Sequence, residues 1–385
     1  MAEILVASGQ AVAVPPAFVG THLSLHTPAW KPGGGGSIPA PAYPYGYVRT
    51  VSAEVGGLSE RGFWSNIETA PGLYDWQYMD QWMAATAGHP VIWTVYGTPT
   101  FYQLYPGEPS RWPSWPGIAS PPTTSGHQAL TRYVSAVMAR YSTRIAAIEV
   151  WNEPTLPWTG GVTSYDDRWS QSWGLANRPS MPMPFFSGSA SDLANIAFSV
   201  RRANPGVPVI GAAFVDKWSP DKNTVERFMN APVTLAGGSG RGGDQVDAMS
   251  VHFYDYSRRP LDMLDTLRGY RSKLAASAWP NLPIWVTEVG AEDGGRFTAN
   301  EPAAGTAIVR WSVLAAALKT RSIVLYGHIS APNREQYLGD PVYGSNTIAA
   351  LRDAARLNGA TICEAAVLGD GRVWANLAGG TTLLR

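Results

Sequence analysis

An α/β chain closed as a (β/α)8 barrel is the fold that this 385-residue sequence predicts, and three observations predict it. Short apolar runs alternate with longer amphipathic segments, the rhythm of strands joined by crossover helices. Eight such runs occur, the number that closes a parallel barrel. Two of them deliver a glutamate to a point where a following proline or glycine stops the strand, so carboxylates gather at one end of the sheet.

In chain order the expected strands are 18–23, 47–51, 91–96, 147–151, 209–213, 248–253, 284–288 and 323–326. Helices are expected between them, among others at 128–141, 191–203, 261–276 and 302–320. In the first of these, Leu130, Tyr133, Val134, Val137 and Met138 recur at helical spacing. Three long loops follow expected strands: 31–44 with its four consecutive glycines, 105–125 with Trp112 and Trp115, and 155–186 around Trp158. Loops after the strands lie on the catalytic face of a barrel, so these should wall a cleft. Residues 3–14 and the tail 361–384 read instead as short strands separated by turn residues. The expected organisation is a TIM barrel over 17–350, with 1–16 and 351–385 pairing as a small antiparallel β appendage.

Composition narrows the partners. Twenty-nine Lys and Arg balance twenty-nine Asp and Glu. With no net charge to steer it, the chain is expected to bind neither nucleic acid nor an anionic membrane. No stretch approaches the roughly 20 apolar residues of a membrane helix. The opening MAEILVASGQAVAVPPAF lacks a basic n-region and a clear apolar h-region, so it does not read as a signal peptide. That leaves a cytoplasmic protein or one exported with its leader removed. The lone Cys363 excludes an intrachain disulfide and a cysteine cluster, and the six histidines show no HExxH-type spacing. No metal and no cofactor are expected. Sixteen tryptophans and seventeen tyrosines combine apolar bodies with polar edges, suited either to a sugar ring or to an aromatic core.

The sharpest signal is Ile148-Glu149-Val150-Trp151-Asn152-Glu153-Pro154. Pro154 cannot continue a central ladder, so Asn152 and Glu153 fall at the strand's C-terminal end. The second is Pro283-Ile284-Trp285-Val286-Thr287-Glu288-Val289-Gly290, three βα units later. The glutamates therefore end strands 4 and 7. Facing carboxylates suit glycosidic cleavage: one protonated to assist the leaving oxygen, the other ionised to attack. A separation of about 5–5.5 Å gives retention, a wider one inversion. Glu153 and Glu288 are the catalytic candidates. A barrel aldolase or isomerase would want a strand lysine or a phosphate loop after strand 8, and neither is present. A catalytically silent sugar-binding barrel is the rival from another class, disfavoured because both carboxylates are kept.

The segments IEVWNEP and WVTEVG resemble the clan of retaining glycosidases with catalytic glutamates on strands 4 and 7, and within it most nearly glycoside hydrolase family 39, over residues 19–330. The resemblance implies Glu153 as acid/base and Glu288 as nucleophile. It implies that Asn152 bonds a sugar 2-hydroxyl and that Arg49, in YVRT, supports the nucleophile. It places His252 and Tyr254, in VHFY, near the nucleophile. The stretch from Trp64 to Trp76 resembles the family's region after strand 2, in which Glu68 and Asp75 cap or pack. The clan's usual strand-8 tryptophan is missing from Leu325-Tyr326-Gly327-His328, so Tyr326 or His328 is expected to floor the subsite. Trp93 and Trp158 complete the expected substrate-binding set. The implied activity is retaining cleavage of an equatorial (β-type or α-L) bond in a poly- or oligosaccharide. The aromatic loops favour endo action; exo action on short oligosaccharides is the alternative.

Overall fold

The computed structural model describes residues 2–23, 45–49, 62–107, 117–154, 186–215, 224–254, 261–290, 302–327 and 345–384. Loop 31–44 lies outside the described residues, as do 108–116 and 155–185 of the other two long loops.

Eight parallel strands close into a barrel: β3 (Val19–Leu23), β4 (Val48–Arg49), β7 (Val91–Val95), β8 (Ile145–Val150), β9 (Val209–Phe214), β10 (Ala248–Tyr254), β11 (Ile284–Gly290) and β12 (Ile323–Gly327). All eight expected strands are there. After β4 come a short helix α1 (Trp64–Ile67), a hairpin of β5 (Glu68–Ala70) and β6 (Leu73–Tyr74), and helix α2 (Gln77–Ala85). The remaining helices are α3 (Thr124–Tyr141), α4 (Ala190–Arg202), α5 (Thr224–Asn230), α6 (Asp262–Ala275), α7 (Pro302–Ala317) and α8 (Ser345–Ala355). Helix α4 starts at a capping box in which Ser189 and Asp192 satisfy each other's backbone N–H.

Strand alternation sorts the barrel's side chains. Ile92, Ala147, Ile210, Ala248, Trp285 and Val324 form their own small apolar cluster, with Tyr47 packed on it. Val91, Trp93, Ile148, Val209, Met249, Ile284, Val286 and Ile323 belong instead to the large core shared with the helices. The first set therefore faces inward and the second outward. Two residues beyond the inward apolar layer stand Arg49, Thr94, Glu149, Ser250 and Thr287, all buried. The lumen thus turns polar toward the strands' C-terminal ends.

Trp93 corrects an expectation. It is fully buried on the outward face, with its ring 6.2 Å from that of Tyr141 on α3. Its neighbours Ile92 and Thr94 take the inward positions. Trp93 is a core residue between strand and helix, not a wall of the cleft.

A separate antiparallel sheet runs β1-β13-β14-β15, from β1 (Glu3–Val6), β13 (Thr361–Val367), β14 (Val373–Leu377) and β15 (Thr382–Leu384), with β2 (Val12–Ala13) also paired to β13. This is the expected joining of the two chain ends. Its apolar face, including Val6, Val12, Ile362, Ala365, Val373 and Leu383, belongs to the same buried cluster as the outer face of the barrel. The expected division at 350 falls inside α8, which closes the last βα unit; the sheet begins only at Thr361. Among the described residues no helix is long and apolar enough to cross a membrane.

Candidate active site

The strand ends bring the expected residues together by local backbone devices. After β8, Trp151 (φ 64°) and Glu153 (φ 44°) both adopt the left-handed conformation. Each costs on the order of 1–3 kcal/mol for a non-glycine residue. Tight surroundings hold them there: the Trp151 N–H donates to the Val95 carbonyl, and its ring packs on Tyr96 and Phe186. The two turns take Asn152 and Glu153 off the ladder and over the barrel mouth.

On β11 the device is a bulge. Val286 pairs with Val251, but Glu288 pairs with the very next residue of β10, His252. The extra residue is Thr287. Without it, strict alternation would send Glu288 outward beside Val286; with it, Glu288 reaches the site and Val289 returns to the outer core.

Arg49 is the hub. It has no solvent exposure. Nη1 donates to Glu288 Oε2 at 2.6 Å and Nη2 to Asn152 Oδ1 at 2.7 Å. Nε and Nη2 lie 2.7 and 2.6 Å from Glu149 Oε2. Since a guanidinium only donates, the Asn152 oxygen must face it and the amide NH2 remains for another acceptor. Glu149 Oε2 also accepts from Thr94 Oγ1 at 2.8 Å, while its Oε1 has no partner among the described residues.

His252 bridges the pair. Its Nδ1 lies 2.7 Å from Glu153 Oε1 and 3.8 Å from Glu288 Oε2. The histidine expected near the nucleophile is thus in contact with both carboxylates and nearer the acid/base candidate. Ligand-type atoms of Glu153, His252 and Glu288 all lie within 4.8 Å of one another. Such a triad has metal-ligand chemistry, but Arg49 already occupies Glu288 Oε2. A dication there would face a guanidinium at hydrogen-bonding distance from its own ligand, which disfavours it. Both glutamates are almost buried, 6% exposed for Glu153 and 5% for Glu288.

Tyr254 and Tyr326 stand at the ends of β10 and β12, on the rim of the mouth, with only their backbones described. Trp158 and His328 lie outside the described residues. Glu68 is a packing group: Trp64 Nε1 and Gly72 N donate to it at 2.6 and 2.8 Å. Asp75 accepts from the Gln77 N–H at the start of α2. Sequence reasoning passed over Glu149 and Thr94. The signal available was position: Glu149 is a charged residue two places after inward Ala147 in an otherwise apolar strand.

No family model matches the chain, and no curated protein does. Solved structures do. The barrel is shared with glycoside hydrolases. A family 39 glycoside hydrolase from the gut symbiont Bacteroides cellulosilyticus WH2 superposes with TM-score 0.56 at 16% identity, covering 96% of this chain and 69% of that one. A family 39 β-xylosidase from Caulobacter crescentus gives 0.52 at 19%, covering 86% and 70%. An endoglucanase from Pseudomonas stutzeri gives 0.50 at 11%, covering 91% and 96%. At these identities the likeness establishes the fold; chemistry must be argued from the site.

Proposed function

We propose that this protein is a retaining glycoside hydrolase in which Glu153 is the acid/base and Glu288 the nucleophile. The observation that carries the reading is the spacing of the two carboxylates, whose oxygens approach within 4.8 Å across the mouth. Inverting enzymes hold theirs about 6.5–9.5 Å apart to admit a water; retaining ones keep them at about 5–5.5 Å. The neighbours differ in the required sense. Glu288 takes a charge-assisted bond from Arg49, which favours its ionised, attacking form. Glu153 leans on His252, whose Nδ1 lies 2.7 Å from its Oε1. With Nδ1 as the donor nitrogen, Glu153 Oε1 is occupied, and the transferable proton belongs on Oε2.

The steps follow. Glu288 attacks the anomeric carbon as Glu153 protonates the departing glycosidic oxygen. The resulting glycosyl-enzyme is then opened by water, from which Glu153 takes the proton. In this reading the Asn152 NH2, left over once its oxygen accepts from Arg49, donates to the sugar 2-hydroxyl. The substrate class that fits is an equatorially linked poly- or oligosaccharide, with Tyr254, Tyr326, Trp158 and His328 as subsite residues. Endo action is the first choice, on the strength of the long aromatic loops; exo action on short oligosaccharides is the second.

The test is a product survey with aryl glycosides and bacterial, plant and host polysaccharides, read by mass spectrometry. Glu288→Ala should lower turnover of every substrate by on the order of 10⁴-fold or more. Glu153→Ala should spare the first step for activated aryl glycosides and recover deglycosylation with azide. Equal and unrescuable losses would overturn the role assignment. Silence of the wild type alongside saturable sugar binding would make the barrel a binding protein.

A further inference from the structure

The lumen beneath the carboxylate pair holds a charge imbalance. Arg49, Glu149 and Glu288 are all buried, one cation between two anions. Two guanidinium nitrogens converge on Glu149 Oε2, whereas Glu288 receives one. A third donor, Thr94 Oγ1, lands on the same Glu149 oxygen. Arg49, Thr94 and Glu149 each stand two positions beyond the inward apolar layer on their own strands, so all three are held by strand geometry.

We propose that Glu149 is a positioning residue that fixes the plane of Arg49 and withholds part of its positive charge from Glu288. The guanidinium is planar, so engaging its Nε edge with Glu149 dictates where Nη1 points, which is at Glu288. In a low-dielectric lumen an arginine paired with Glu288 alone would neutralise it more completely and blunt its attack. Sharing the cation keeps Glu288 both ionised and electron-rich. Thr94 sets the division: its hydroxyl satisfies part of Glu149, so less of the guanidinium is drawn away from Glu288. The groups facing Glu288 among the described residues are Arg49 from β4, His252 from β10 at 3.8 Å, and Glu153 after β8, with Glu149 acting through Arg49. The kinetic consequence rests on the glycosidase reading; the charge sharing does not.

The experiment follows Glu288 directly. Glutamate side-chain carboxyls are labelled with carbon-13 in the full chain, and the Glu288 resonance is assigned by its loss in Glu288→Gln. Glu149→Gln keeps shape and removes the charge, so the Glu288 titration midpoint should fall by about half a pH unit or more. Thr94→Val removes the donor to Glu149, so the midpoint should rise. A purely structural Glu149 would leave it where it was, and an unmoved midpoint in a folded Glu149→Gln protein overturns the proposal. If that variant does not fold, Thr94→Val decides: a rise supports charge sharing and no change overturns it. Opposite shifts in a protein that cleaves no glycoside would sink the function and leave this inference standing. Where turnover is found, the acid limb of kcat/KM should move with the same signs.

Discussion

Arg49 gathers three side chains around one planar group. It orients Asn152, charges the environment of Glu288 and neutralises Glu149, all without contact with water. Buried charges persist only when paired and hydrogen-bonded, and every bond here is short. Trp93 shows the opposite lesson. A tryptophan on a strand beside the site invites a cleft role, but its ring lies among the helices and its Nε1 finds no partner among the described residues. Trp93→Ala should therefore cost about 3–5 kcal/mol of stability, measured by urea unfolding, with KM per folded molecule unchanged. A raised KM with stability intact would return it to the cleft.

Elements supply precision that single residues lack. The bulge at Thr287 shifts β11 by one place and decides which way Glu288 faces. Helix α3 carries a pH dependence of its own. His127, in its first turn, is packed against α4 with Nδ1 2.9 Å from Ser199 Oγ, and burial pushes its pKa down from 6.5 to about 4. The folded state therefore resists protonation that the unfolded chain accepts. Stability from this group is intact above about pH 6.5 and falls as the pH drops toward about 4. Replacing the ring by the smaller amide in His127→Asn should remove an acid sensitivity on the order of 3 kcal/mol over that window. Unfolding free energies of both proteins at pH 7 and pH 4.5 check it; equal losses on acidification would refute it.

For the whole molecule, the question is whether the terminal sheet is a separate domain. Ile362 is fully buried, paired across the sheet with Val12 and Leu377, and part of the core that also contains the outer face of the barrel. An uncompensated carboxylate there, Ile362→Asp, should cost about 4 kcal/mol or more and lower the melting of barrel and sheet together in one transition. Calorimetry showing an unshifted barrel and a separate early transition would instead make the sheet an independent unit.

Much of this was legible in the residues. The eight strands, the crossover helices, the pairing of the chain ends and the glutamates at the ends of strands 4 and 7 all follow from apolar periodicity and from Pro154 and Gly290, because these signals act over a few neighbouring residues. What stayed hidden required knowing which parity faces the lumen. Both faces of a barrel strand are buried, so alternating polarity does not mark the inside as it does in a half-exposed sheet. Hence Trp93 was misplaced and Glu149 passed over, though the two residues follow the same rule of two. The bulge at Thr287, the left-handed turns at Trp151 and Glu153, and the meeting of Arg49 with partners 100 and 239 positions away depend on strands closing into a ring. Local sequence sets the elements; only closure sets the distances between charges, and on those distances the chemistry depends.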